Sequence, residues 1–310
     1  MTAHATFQYR TRIVILVFLA FLFAAEDAIA RHVIDQVGRA VEVPENPERV
    51  IALAPSITEI IFALGAEGRL KGVTLYSDYP VQAKILPRVG SYVHLDLEKI
   101  VALNPDLCLA IKDGNPRHLV DKIVEMGIPV YVIDPHDLEQ TMDTITRIGF
   151  LLNVEQAAGT LVTDMEKRIK RVQELVKRAD HIPRVFFQID AEPIVSAGND
   201  TFINELIVLA GGKNTGAGED PYPRYSLEDI LVLQPEIILI SSMAGGLDAE
   251  KLIMEWQRWK QLHAVQNGQI HVVDADLFDR PTPRLVTGLE VIAAILHPEL
   301  FSGDSGALGK

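Results

Sequence analysis

Short apolar runs recur along this chain, and between them the apolar positions switch to helical spacing. In the first half the runs fall at 50–54, 70–75, 107–111 and 130–133, with helical patterns at 58–64, 97–103 and 119–126. In the second half, runs at 185–189, 237–240 and 271–273 alternate with helical patterns at 202–209, 227–233, 252–262 and 285–296. Continuous apolar runs suit strands buried on both faces, and these are parallel strands covered by crossover helices. The pattern predicts an α/β protein with central, mainly parallel sheets.

One segment differs from this alternation. Val154, Ala157, Ala158, Leu161, Val162, Met165, Ile169, Val172, Leu175 and Val176 keep to one stripe, with Lys and Arg on the other face. The stripe lasts about six turns. It holds no Gly after Gly159, and no Pro occurs before Pro183. A flexible linker is polar and rich in Gly or Pro. The segment therefore predicts one long, stiff helix packed along both halves, a hinge that permits only small opening.

The halves also share a unit. Leu97-Glu98-Lys99-Ile100-Val101-Ala102-Leu103-Asn104-Pro105-Asp106 is echoed by Leu227-Glu228-Asp229-Ile230-Leu231-Val232-Leu233-Gln234-Pro235-Glu236, and each copy leads into an apolar run. A unit repeated once at domain-sized distance predicts two similar lobes facing each other across a cleft. It also makes Glu98 and Glu228 equivalent exposed points. The expected divisions are an N-terminal α/β lobe at 31–152, the connecting helix at 153–182, a C-terminal α/β lobe at 183–299 and a disordered tail at 300–310.

Residues 1–30 read as a leader rather than as fold. Arg10 and Arg12 precede an apolar run at 13–25, and Ala28-Ile29-Ala30 supplies a small-x-small site. That run is short for a membrane span, so a secretory signal peptide cleaved near Ala30 is expected, leaving a soluble exported protein. No Cys follows the run to take a lipid anchor. Some 280 residues remain, enough for two real cores. A net charge of −13 argues against nucleic acid or an anionic membrane as partner. Cys108, the single cysteine, lies in an apolar run and is expected to be an inert core thiol. The nine His contain no His-x-His or His-x-x-x-His pair, so no preformed metal site is expected. No prosthetic group is expected either.

Enzyme signatures are missing: no Gly-x-Gly-x-x-Gly after the first strand, no Walker loop, no Gly-x-Ser-x-Gly and no zinc-protease helix. No catalytic residue is assigned. Four loop segments instead combine rings, turn residues and isolated charges, as loops lining a ligand crevice do. At Ala54-Pro55-Ser56-Ile57-Thr58-Glu59, Ser56 reads as a helix cap whose neighbouring N–H groups either simply start the helix or meet a ligand oxygen. Tyr76-Ser77-Asp78-Tyr79-Pro80 is a surface turn or a ligand wall, and Pro221-Tyr222-Pro223-Arg224-Tyr225 is aromatic and proline-stiffened. Asp274-Ala275-Asp276-Leu277-Phe278-Asp279-Arg280-Pro281-Thr282-Pro283-Arg284 is a solvated ion-pair loop or a site where Asp276 and Arg280 offer an acceptor and a donor fork.

Taken together, these segments resemble the siderophore/haem/cobalamin class of substrate-binding proteins of bacterial ABC importers, over nearly the whole of 33–296. The Leu-Glu helix is common to the class; the Tyr-Ser-Asp-Tyr-Pro turn and the Asp276–Arg280 loop are nearer its cobalamin branch. The resemblance implies two Rossmann-like lobes joined by one long rigid helix, the helical-backbone (class III) type of periplasmic binding protein. It implies a cobalamin or related corrinoid ligand contacted by Pro55, Ser56, Tyr76, Tyr92, Tyr222, Asp276, Phe278 and Arg280. It also implies docking of Glu98 and Glu228 on arginines of a permease dimer that works with ATPase subunits. A corrin is a broad apolar ring fringed with amides, and aromatic walls with a few polar groups suit it. Tyr92, Tyr222, Ile111 and Leu277 stand where the cobalamin branch places Trp, and Val195 where it places Phe. Haem or a ferric siderophore is the alternative, with Tyr76, Tyr92 and Tyr222 as candidate axial ligands. The expected protein is a periplasmic monomer.

Overall fold

The computed structural model describes residues 30–243 and 248–301. An antiparallel hairpin, β1 (Ala30–Ile34) and β2 (Ala40–Pro44), opens the chain. The first lobe follows with β3 (Val50–Ala52), α1 (Pro55–Ala63), β4 (Leu70–Gly72), α2 (Leu97–Ala102), β5 (Leu107–Ile111), α3 (Arg117–Glu125), β6 (Val130–Ile133) and α4 (Leu138–Leu151). Then comes α5 (Glu155–Val176). The second lobe contains β7 (Arg184–Ala191), β8 (Ile194–Ser196), α6 (Phe202–Leu209), β9 (Lys213–Asn214), β10 (Arg224–Tyr225), α7 (Leu227–Leu233) and β11 (Ile237–Ser241). It ends with α8 (Ala249–Gln257), α9 (His263–Gln266), β12 (Ile270–Val273), α10 (Leu285–Leu296) and α11 (Pro298–Phe301).

The first sheet is parallel, in the order β4-β3-β5-β6. In the second sheet β9, β7, β11 and β12 repeat that parallel order, and β8 and β10 extend it antiparallel from β7. The expected α/β fold with two similar lobes is therefore present. Every residue of β5, β6 and β11 is buried, as strands covered by helices on both faces must be.

The long helix predicted from the apolar stripe is α5, 22 residues and about 33 Å of rise. Ala158, Met165 and Val172 are its buried positions, and they belong to one apolar core with members from both lobes. Arg168 of α5 fixes the second lobe by donating to both carboxylate oxygens of Glu290 (3.0 and 2.6 Å) and to Thr287 (3.0 Å). At the other end α5 meets α4 so closely that a Cβ on Gly149 would lie 2.5 Å from that of Ala158. Glycine permits that approach, and Asn153 turns the chain there in the left-handed region.

Several expectations are corrected. The helix at 252–262 runs instead over Ala249–Gln257. Past it, two tight turns carry Trp259 and Leu262 so that Leu262 joins Trp256 in one apolar cluster. The run at 70–75 is strand only to Gly72. The helix α4 is not among the predicted elements, although Leu138, Ile145, Ile148 and Leu151 bury one face and Asp137 caps it. Helix α11 carries ordered structure through Phe301, past the expected tail boundary at 300. Residues 302–310 of the expected tail and residues 1–29 of the expected leader lie outside the described residues. Ala30, the expected last leader residue, pairs with Pro44 in the first hairpin. Cys108 is buried, and burial pushes its thiol up to about 12.

Candidate functional site

The loops at the C-terminal ends of the strands come from both lobes, where open α/β sheets hold ligands. On the first lobe, Tyr76 and Tyr92 lie edge to face with ring centres 6.3 Å apart, and both are exposed. Their loops are held from behind. The buried Asn115 side chain donates to the carbonyls of Leu53 (2.8 Å) and Tyr92 (2.7 Å) and accepts from the Ile111 N–H (2.8 Å), tying three strand-end segments together. The Ser77 hydroxyl joins Thr58 (3.0 Å) and Thr74 (2.9 Å), while Arg88 donates to the carbonyls of Thr74 and Ser77. The turn carrying Tyr76 is thus built on buried polar bonds, which fix it more firmly than an open loop.

On the second lobe, the loop carrying Tyr222 is laid against the strand end at 196–198. Ser196 and Gly198 donate backbone bonds to Pro223 (2.9 Å) and Pro221 (2.8 Å). A Cβ on Gly198 would stand 1.8 Å from the Asp220 carbonyl, so this contact needs glycine. Tyr222 is 58% exposed. Partial burial, then the negative charges of Asp279 on its own lobe and Asp113 on the other, raise its phenol. Charges from both lobes thus act on this one ring. Asp279 keeps exposed surface, yet desolvation of its carboxyl by the surrounding chain, then the charges of Asp276 and Asp274, against the lowering effect of Arg280, raise it to about 6.

Between the two loops an ion cluster crosses from lobe to lobe. Glu59 of α1 accepts from Arg280 (3.1 Å) at one oxygen and from Arg284 at both (2.8 and 2.9 Å). Arg280 also contacts Asp276 at 2.8 Å and Asp78 at 3.8 Å. The Arg284 guanidinium lies 4.0 Å over the Tyr79 ring. A second tie runs the other way: Glu205 of α6 accepts from the Leu138 N–H at the start of α4 (2.9 Å). Burial, against that bond, raises the Glu205 carboxyl, and Asp137 and Glu139 add to the rise.

Of the residues expected at the site, Tyr76, Tyr92, Tyr222, Asp276 and Arg280 therefore gather at the loops between the lobes. Two readings are corrected. Phe278 is 1% exposed and packs edge to face on Phe187 at 5.7 Å, so its ring anchors the loop in the core and forms no ligand wall. Ser56 does not cap α1: the cap position is Ala54, Pro55 is the first helical residue, and both Pro55 and Ser56 are buried in the first turn. Pro55 has no N–H to offer, which leaves those of Ser56 and Ile57 at the open end of the helix.

Glu59 and Arg284 were not anticipated. Glu59 is the one charged residue between Val50 and Leu64, and a lone acid inside an apolar helix is a signal that it has a partner. The partner lies more than 220 positions away, which no local pattern reveals. Among the described residues, Asp113, Asp134 and His136 bring possible metal-ligand atoms within 4.8 Å of one another, but Lys112 already holds Asp134 at 2.6 Å.

Glu98 and Glu228 each occupy the exposed first turn of their helix, capped by Asp96 in α2 and by a Ser226–Asp229 capping box in α7. Neither carboxylate has an ion-pair partner among the described residues. No described helix is long and apolar enough to cross a membrane.

This arrangement has close relatives. The vitamin B12-binding protein of Vibrio cholerae is 34% identical over 258 residues, 82% of this chain and 90% of that protein. The crystal structure of the periplasmic vitamin B12 binding protein BtuF of Vibrio cholerae overlays with a TM-score of 0.72 at 33% identity, covering 82% of this chain and 98% of that one. The periplasmic haem-binding protein RhuT from Roseiflexus sp. RS-1 overlays with a TM-score of 0.73 at 26% identity, covering 82% and 99%. A profile described as periplasmic binding protein matches residues 50–277, and the chain belongs to that family.

Proposed function

We propose that this protein is a non-catalytic periplasmic capture protein that binds cobalamin or a related corrinoid between its lobes and delivers it to an ABC transporter permease. The observation that carries this reading is the 34% identity to a vitamin B12-binding protein along 82% of the chain. The loops support it chemically. Tyr76, Tyr92 and Tyr222 offer exposed rings from both sides of the cleft for the apolar faces of a corrin. Asp276 and Arg280 offer an acceptor and donors to its amides. Pro55 starts the helix α1, and the Ser56 N–H is left at its open end. Glu98 and Glu228 are the two docking points, each meeting an arginine of the permease dimer.

A second reading is haem or a ferric siderophore. Exposed tyrosines on both lobes favour it, since a phenolate is an axial ligand for haem iron. Titration calorimetry against cyanocobalamin, dicyanocobinamide, haemin and a ferric siderophore separates the readings. Cyanocobalamin is expected to bind and to be recovered unchanged; turnover would make the protein a cofactor-processing enzyme. Binding of haemin alone, with a charge-transfer band lost on Tyr→Phe substitution, would replace corrinoid by haem.

A further inference from the structure

Glu59 stands on α1 with its side chain 2% exposed. A carboxylate so far from water is destabilising by several kcal/mol unless it is paired and hydrogen-bonded. Here both oxygens are taken by guanidinium groups from the opposite lobe. One oxygen serves Arg280 (3.1 Å) and Arg284 (2.9 Å) together, and the other takes the Arg284 Nε–H (2.8 Å). Side-on pairing of this kind fixes the plane of the guanidinium as well as its position. Arg280 is less exclusively bound. Its Nη1 is on Glu59 and its Nη2 is on Asp276 at 2.8 Å. A guanidinium has five N–H donors, so Arg280 retains donors that these two acids do not engage.

Sharing one oxygen also matters electrostatically. It brings two positive groups close together, and Glu59 is the charge between them. Without it Arg280 and Arg284 repel, and Asp276 and Asp78, both more exposed, are the acids left to hold Arg280. Asp276 lies 3.7 Å from Arg284 as well, so the acid and the two cations form one connected cluster.

We infer that Glu59 is a positioning residue for ligand capture: from the N-terminal lobe it holds the Arg280 guanidinium, and through it the Asp276 carboxylate, in the orientation that receives the ligand. Arg284, stacked on Tyr79, locks Glu59 in its turn. The inference rests on the reading that Asp276 and Arg280 meet the ligand. It adds that the C-terminal loop is aimed by a residue of the other lobe, so that the polar half of the site is assembled only when the lobes are correctly set.

The test is a double-mutant cycle read by calorimetry, with whichever of cyanocobalamin, dicyanocobinamide, haemin and a ferric siderophore the wild type binds most tightly. Arg280→Ala and Glu59→Gln are each expected to weaken binding about tenfold. Adding Glu59→Gln to Arg280→Ala should then change affinity less than about twofold, because the group that Glu59 aims is already gone. Urea midpoints measured alongside separate this coupling from loss of fold. If Glu59→Gln does not fold, the pair Glu59→Leu with Arg284→Leu removes the buried charges together and should show the same loss. Full affinity for Arg280→Ala, or a wild type that binds none of the four, removes the ligand contact and this inference with it. A weakened Arg280→Ala beside a fully active Glu59→Gln or Leu–Leu variant, or two losses that simply multiply, leaves the ligand contact standing and overturns the role of Glu59.

Discussion

Asp106 and Glu236 occupy the same place in opposite lobes. Asp106 accepts the Arg49 N–H at 3.0 Å and donates its own N–H to the Arg49 carbonyl at 3.0 Å. Glu236 does the same with Arg184, at 3.1 and 2.8 Å. Each acid follows a proline and a left-handed residue, Asn104 in one copy and Gln234 in the other. Each closes the start of a parallel strand pair, Val50 with Leu107 and Val185 with Ile237. The repeated motif is therefore one structural unit from its helix cap to its strand, and it presents Glu98 and Glu228 at the same point of that unit.

Equal presentation predicts joint action. Glu98→Ala combined with Glu228→Ala should leave ligand affinity unchanged and weaken association with the permease about tenfold or more, since exposed rim charges govern docking rather than the fold. Uptake assays with the double variant check this. Transport at the wild-type rate would remove the docking role.

Two aromatic residues should separate by environment. Phe278→Ala empties a core position and is expected to cost about 3–5 kcal/mol of stability in urea unfolding. Tyr222→Ala, at an exposed ring, should alter stability by about 0.5 kcal/mol or less while weakening ligand binding by about 0.5–1.5 kcal/mol through lost stacking. The opposite assignment of effects would place Phe278 in the site and Tyr222 outside it.

Asp279 gives the fold a pH signature. Its carboxyl is raised from 3.8 to about 6, so between those values the folded state binds a proton that the unfolded state has released. The resulting contribution is present below about pH 4 and is lost as pH rises through about 6. Asp279→Asn should abolish that dependence, so its urea midpoint gains on the wild type as pH rises from 4 to 7. Parallel curves for the two proteins would show that the carboxyl titrates normally.

Gly149 reports on the seat of the long helix. Because the atom it would meet is the Ala158 Cβ at 2.5 Å, which has no rotamer to yield, Gly149→Ala should cost about 1–3 kcal/mol by overpacking. Ala158→Gly in the same chain should recover part of that loss. A thermal melt of the single and double variants checks both points.

Local pattern carried the fold far. The strands at 107–111 and 130–133 and the helices at 202–209, 227–233 and 285–296 have the bounds that their periodicity predicts. Boundaries failed where tertiary packing decides them, as at Leu262, which turns in to reach Trp256. At the cleft, exposed rings such as Tyr76 and Tyr222 were legible because turn chemistry marks their loops. The resemblance places Phe278 at the ligand, and only the fold reveals that Phe187 lies against its ring. The role of Glu59 depends on Arg280 and Arg284, which reach it only where the two lobes meet.

The core that runs through Met165 and Val172 has a consequence for folding. It joins Ile57 and Ile148 of the first lobe to Phe187 and Leu289 of the second in one apolar cluster. Each half also keeps an apolar cluster of its own, around Ile51 and Ile100 in the first and around Ile240 and Trp256 in the second, but the shared cluster couples the two. The chain should therefore melt in a single calorimetric transition.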